Sequence, residues 1–172
     1  MKYFYVLLAV LVFAFSISAQ NQIGASPSFA AIDMAGQKVD TTELKGKVVV
    51  LNLWFINCPN CVEEINMLNA IVDQYKDNKD VVFLGVAASR KPDLEKFLVK
   101  HPFKYRVIPN GSMIIISKFG DPGKNGELSV AFPMHYVLDR DGKIVAKAQG
   151  IKGIEAVKTE LIKQLAKRGG SE

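Results

Sequence analysis

Lys47-Val-Val-Val-Leu-Asn-Leu-Trp-Phe-Ile-Asn-Cys-Pro-Asn-Cys-Val-Glu-Glu-Ile65 joins two different periodicities within nineteen residues. From Lys47 to Phe55 the residues are almost all β-branched or aromatic, bounded by Gly46 and Asn57. A near-continuous apolar run of this length predicts a central strand buried on both faces. From Pro59 onward Val62, Ile65, Leu68, Val72 and Tyr75 recur at helical spacing, and Pro59 occupies the first helical position, where its missing N–H costs nothing. The strand therefore feeds a helix, and Cys58 and Cys61 sit at the helix start.

Strand and helix keep alternating downstream. Val81–Ala88 is a second buried strand, Pro92–Lys100 a second helix with Leu94, Phe97 and Leu98 inward, and Phe103–Ile108 a third extended stretch. Met113-Ile-Ile-Ile has strand propensity, although its place after Asn110–Gly111 suits a short helix equally. Asp121–Val130 is rich in turn formers and is expected to be an exposed loop. Met134–Leu138 and Ile144–Ala148 form a hairpin across Asp139–Gly142, and Ile154, Val157, Leu161 and Leu165 mark a C-terminal amphipathic helix. Upstream, the segment from Ser26 to Asp40 predicts two short strands about a turn at Ala35–Gly36, followed by a turn or short helix at Thr41–Lys45. This βα alternation indicates an α/β fold.

The chain has 172 residues, of which 49% are hydrophobic and 23% charged, with 22 Lys+Arg against 17 Asp+Glu for a formal charge of +5. That is the profile of a folded chain with one core. The basic residues are interspersed with acidic ones, with only a loose cluster at Lys163, Lys167 and Arg168, which argues against a nucleic-acid partner. Residues 1–19 have the layout of a secretory signal peptide: Lys2, a largely apolar run of fifteen residues from Tyr3 to Ile17, and small residues at Ser16, Ser18 and Ala19. Cleavage is expected after Ser18 or Ala19, leaving one domain from residue 20 to 172 with a loose tail from Gly169. The run is shorter than the ~20 residues of a permanent membrane span, although an uncleaved signal would tether the domain. The protein is thus expected to be exported, and periplasmic.

Export bears on the cysteines. Both lie in one tetrapeptide, Cys58-Pro59-Asn60-Cys61, and a pair spaced in this way outside the cytosol can form a disulfide. A bridge stabilises by closing a long loop, and a two-residue spacer closes almost none, so chemistry explains it better. At a helix N-terminus the unpaired N–H groups and the positive end of the dipole favour a thiolate at Cys58, the expected attacking sulfur. Cys61, one turn later, is expected to point inward and to resolve the mixed disulfide, with Pro59 and Asn60 tuning the balance. A zinc half-site would need two further ligands.

The run from Lys45 to Glu64, preceded by Pro27, Phe29, Asp33 and Gly36, resembles the TlpA-like thiol-disulfide oxidoreductases, a family of exported proteins that includes reductants for cytochrome c maturation. The resemblance spans roughly residues 24 to 167. It implies a thioredoxin-like fold, in which a central mixed β-sheet is flanked by helices and extended by extra N-terminal strands, together with a reducing CxxC and a cis-proline loop facing it. By position it implies Asn52 where cytosolic thioredoxins bury an Asp, the strand tryptophan at Trp54, and the family's acidic residue at Glu64. Glu64 is then either a general acid or base for the thiol reaction or a solvated helix glutamate like Glu63. Pro133 matches the cis-proline, which would present the backbone of Phe132 to an extended substrate segment. Asn57, Val62 and Asn66 depart from the family pattern, the loop from Gly120 to Pro133 is longer than usual, and Phe132 is bulky. These departures bear on the partner rather than on the chemistry.

The function expected is dithiol/disulfide exchange at Cys58 and Cys61, reducing a disulfide in an exported protein, with re-reduction by a membrane electron donor. The sulfurs carry the electrons, so no cofactor is called for. The alternative is a thioredoxin-fold copper chaperone using Cys58, Cys61 and His135, since soft thiolates suit Cu(I). Against it, such chaperones have wider cysteine spacing, and a lone strand His is more often a hydrogen-bonded core residue. A peroxiredoxin relative would need a Thr and a Pro at fixed spacing before Cys58, and they are absent.

Overall fold

The computed structural model describes residues 22–167; the predicted signal segment and the last residues of the tail lie outside them. A five-stranded mixed sheet forms the centre, in the order β5-β4-β3-β8-β9, with β3 Val48–Trp54, β4 Val81–Ala87, β5 Arg106–Ile108, β8 Met134–Leu138 and β9 Ile144–Gln149. β3 runs parallel to β4 and antiparallel to β8, and β4 runs parallel to β5. All seven residues of β3 are buried. The apolar run thus becomes the central strand, which needs cover on both faces.

Helices α1 Pro59–Tyr75, α2 Lys91–Lys100 and α4 Gly150–Ala166 cover one face. There Leu68, Ile71, Ile154, Val157 and Leu161 pack on Val48, Val50 and Val137, while Leu94 meets Trp54. On the opposite face, β1 Ala30–Ile32 and β2 Lys38–Asp40 pair as a separate antiparallel hairpin. They lie with α3 Ser112–Phe119 over Leu51, Leu53, Leu84 and Tyr136. These are the extra N-terminal strands the resemblance implies.

The structure decides one local reading left open and refines two others. Met113–Ile116 lies in helix α3 despite its strand propensity, because Asn110 takes a left-handed φ of 56° and the Gly111 N–H bonds to the Ala87 carbonyl at 2.7 Å, turning the chain into a helix. Ile115 and Phe119, four residues apart, then share the buried face. The 121–130 segment is exposed but not wholly irregular: β6 Asp121–Pro122 pairs with β7 Leu128–Ser129, and Asp121 is tied to Lys147 of β9 by an ion pair at 2.6 Å. Along α1 the buried stripe runs through Cys61, Glu64, Ile65, Leu68 and Ile71, whereas Val62, Val72 and Tyr75 are half-buried. The helix is rotated toward Glu64, so that a carboxyl side chain lies within its packed face.

Candidate functional site

The end of β3 and the start of α1 place the cysteines. Cys58 is the N-cap residue of α1 and Pro59 its first residue, and Cys58 Sγ accepts the backbone N–H of Cys61 at 3.2 Å. The sulfur therefore takes the place of a capping oxygen and faces the positive end of the helix dipole. The two cysteines form a disulfide, with Cα atoms 5.2 Å apart, and both are buried, Cys61 more deeply than Cys58. Pro59 and Asn60 between them are exposed.

Beside the disulfide, the Phe132–Pro133 peptide bond is cis. Phe132 packs edge-on against Phe55, with ring centroids 5.1 Å apart. Phe132 and Pro133 line an open groove with Asn60, Gln149, Gly150 and Ile151. The structure thus brings Asn60, Phe132 and Pro133 to one mouth, with Phe132 packed against the cluster that holds Cys58 and Cys61. Sequence reasoning missed the contribution of Gln149, Gly150 and Ile151, because only the hairpin pairing of β8 with β9 carries the start of α4 back to Pro133.

Beneath this mouth lies a polar cluster. Asn52 is buried on β3 and pairs across the sheet with His135 of β8, and Asn52 Nδ2 stands 3.1 Å from His135 Nδ1. His135 Nε2 lies 3.2 Å from Glu64 Oε2, with the two side chains 1% and 0% exposed. The approach is not in line for a hydrogen bond, so His135 Nε2 and both Glu64 oxygens have no hydrogen-bond partner among the described residues. Glu64 is thus no solvated helix glutamate; Glu63, its neighbour, is the exposed one. The carboxylate missing at Asn52 is present in the same buried layer, supplied by the helix. His135 turns its ring nitrogens to Asn52 and Glu64, and among the described residues no three His, Cys, Asp or Glu side chains are grouped to hold a metal ion.

Two aromatic groups complete the cluster. Trp54 is buried between Phe97 and Phe103, and Tyr105 stacks on Phe103; neither Trp54 Nε1 nor Tyr105 Oη has a hydrogen-bond partner among the described residues. Gly85, opposite Asn52 on β4, makes room for them, since a Cβ there would lie 3.1 Å from Phe103 and 3.2 Å from Trp54 Nε1. Burial pushes the Tyr105 hydroxyl well above the ordinary phenol value, and the Glu64 carboxylate adds to the rise. Tyr105 carried no functional signal in the sequence. The pairing of Glu64 with His135 could not be read either, because it depends on the order of strands.

The Redoxin family pattern matches residues 21–161. Among curated proteins the chain is 30% identical over 139 residues to the thiol-disulfide oxidoreductase ResA of Bacillus cereus, covering 79% of this chain and 75% of that protein. Among solved structures it resembles a thioredoxin-family thiol:disulfide interchange protein from Chlorobium tepidum, at a TM-score of 0.69 and 20% identity, covering 86% of this chain and 99% of that one. It also resembles an exposed lipoprotein thioredoxin of Streptococcus pneumoniae, at a TM-score of 0.65 and 20% identity, covering 79% of this chain and 98% of that one.

Proposed function

This chain belongs to the Redoxin family and is a thiol-disulfide oxidoreductase of the TlpA/ResA-like type, and we propose that it works outside the cytoplasm, reducing disulfides in exported proteins through Cys58 and Cys61. The observation that carries the reading is the capping geometry: Cys58 Sγ at the helix N-terminus, accepting the Cys61 N–H, is where a thiolate is stabilised. In the reduced protein the Cys58 thiolate attacks one sulfur of the substrate disulfide. A Cys58–substrate bond forms and the first substrate thiolate leaves. Cys61 then gives up its proton and attacks Cys58 Sγ, closing the Cys58–Cys61 disulfide and releasing the second substrate thiolate. The substrate gains two electrons and the enzyme loses two.

Glu64, three residues beyond Cys61 on the same buried helix face, is the group we assign to accept the Cys61 proton. Phe132 and Pro133 hold an extended substrate segment at the groove, where the Phe132 backbone pairs with it. Pro59 and Asn60 set the balance between dithiol and disulfide, and Trp54 and Asn52 support the floor of the site. A membrane electron donor regenerates the dithiol. Support for export is the layout of residues 1–19; among the described residues no helix is long and apolar enough to cross a membrane.

The test is the reduction potential of the protein, read by alkylating free thiols across a series of dithiothreitol buffers. A reversible two-electron transition near or below about −270 mV is expected of a reductant, whereas a transition near about −120 mV would identify an oxidant and overturn the direction proposed. Cys58→Ser is expected to abolish disulfide reduction altogether.

A further inference from the structure

Apart from the cysteines, the strongest unexplained feature is the buried contact between Glu64 and His135. A carboxyl group that is 0% exposed, with neither oxygen hydrogen-bonded among the described residues, is costly to bury, and packing offers no reason to keep it there. Its immediate neighbour is a histidine whose orientation is fixed from the other side. With its amide nitrogen toward the ring, Asn52 can only donate, so His135 Nδ1 is the acceptor and a neutral imidazole carries its proton on Nε2. His135 Nε2 lies 3.2 Å from Glu64 Oε2, within reach of a hydrogen bond although out of line for one in the disulfide form. Oε1 lies on the side of Gly150, which lines the groove at the mouth of the site. The two carboxyl oxygens are therefore distinguished by their surroundings, one beside the imidazole Nε2 and the other toward the active-site mouth.

We propose that His135, oriented by Asn52, is the positioning residue of Glu64: it holds Oε2 and leaves Oε1 to take the proton of Cys61 when Cys61 attacks the mixed disulfide. This rests on the reading of Glu64 as the proton acceptor of the resolving step. In that step the Cys61 proton passes to Oε1, the Cys61–Cys58 bond forms, the Cys58–substrate bond breaks, and the electron pair leaves on the substrate sulfur. His135 neither gains nor loses a proton; in the dithiol form its Nε2–H comes into line with Oε2, stabilises the carboxylate before the transfer and fixes its direction. Asn52, Glu64 and His135 come from β3, α1 and β8, so the arrangement exists only when the sheet is assembled. Because His135 lies two residues beyond Pro133, the strand that leads away from the groove also carries the positioning group. The other titratable groups about the pair are Cys61, one turn earlier on α1, and Tyr105, whose hydroxyl feels the Glu64 charge.

The reduced protein is mixed with dithiobis(nitrobenzoate), an aromatic disulfide whose coloured thiolate is released first by Cys58 attack and then by Cys61 resolution, and both phases are followed across pH. His135→Leu is expected to leave the first phase within about twofold of the parent and to slow the second by about tenfold, part of the roughly 10²–10⁴-fold that a positioned acid–base contributes. The pH profile of the second phase should change with it. His135→Gln, which keeps an N–H donor at the depth of Nε2, is expected to restore most of the rate. In a Glu64→Gln background His135→Leu should slow the reaction no further. If His135→Leu does not fold, as judged by circular dichroism, His135→Asn replaces it with the same expectation, since it offers no donor near Glu64. A parental second phase in Glu64→Gln would overturn the reading of Glu64 and this inference together. An altered Glu64→Gln beside a parental His135→Leu, or equal slowing by His135→Leu in both backgrounds, would overturn the inference alone.

Discussion

The two faces of β3 are built from alternate residues of one strand, yet they are different materials. On the α3 face Val49, Leu51 and Leu53 meet Phe29, Ile115, Phe119 and Met134, and the buried phenol there is satisfied: Tyr136 Oη donates to Gln22 Oε1 at 2.9 Å, and Gln22 Nε2 donates to the Phe119 carbonyl at 2.8 Å. On the α1 face Val48 and Val50 give way to Asn52 and Trp54 as the strand approaches Cys58. That face holds Trp54 Nε1, both Glu64 oxygens, Tyr105 Oη and His135 Nε2, all but one of the buried side-chain polar atoms without a hydrogen-bond partner among the described residues, the remaining one being Arg140 Nε. Buried polar groups are ordinarily paired, so unpaired ones gathered beneath a disulfide mark where stability has been exchanged for reactivity. One face secures the sheet; the other is arranged for proton and sulfur chemistry.

Substitutions should separate the two. The largest effect expected is from Leu53→Ala on the apolar face: Leu53 is fully buried, and deleting it costs about 2–5 kcal/mol in chemical denaturation while the reductase activity of the folded fraction stays at the parent level. If activity fell in step with stability, the division between faces would fail. Glu64→Leu should do the reverse. Removing a buried carboxyl with no hydrogen-bond partner among the described residues is expected to raise stability by about 1–3 kcal/mol, seen as a higher denaturation midpoint, and to slow the resolving step. Lower stability in this variant would mean that the His135 contact is a net stabilising pair.

The smallest effect lies at the edge of the apolar face, at Asp33. Burial raises its pKa, but the Gln37 N–H and the Arg106 guanidinium, whose Nη2 lies 2.8 Å away, outweigh that and hold it below the ordinary 3.8. A depressed folded value contributes stability that is full above the unfolded pKa and is lost as pH falls through the folded one. Asp33→Asn should therefore lower stability slightly at neutral pH and flatten the acid limb of a melting-temperature profile, with no change in activity.

The sequence by itself determined the strand at Lys47–Phe55, the helix from Pro59, and the cysteine pair at their junction, because each is set by local periodicity, a proline at N1 and a capping position. The C-terminal hairpin and helix were legible for the same reason. Tertiary structure decided what local pattern leaves open. The strand propensity of Met113–Ile116 yielded to the turn at Asn110 and to packing of Ile115 and Phe119 on the sheet. Glu64 read equally well as solvated or functional, since a helix position acquires its surroundings only when α1 settles on the sheet with one particular rotation. His135 and Asn52 are 83 residues apart, and Gln22 and Tyr136 are 114 apart; such pairs follow from strand order and register, which no stretch of sequence encodes alone. The sulfur chemistry is written in four consecutive residues, whereas the buried polar layer that serves it exists only once β3, β8 and α1 have come together.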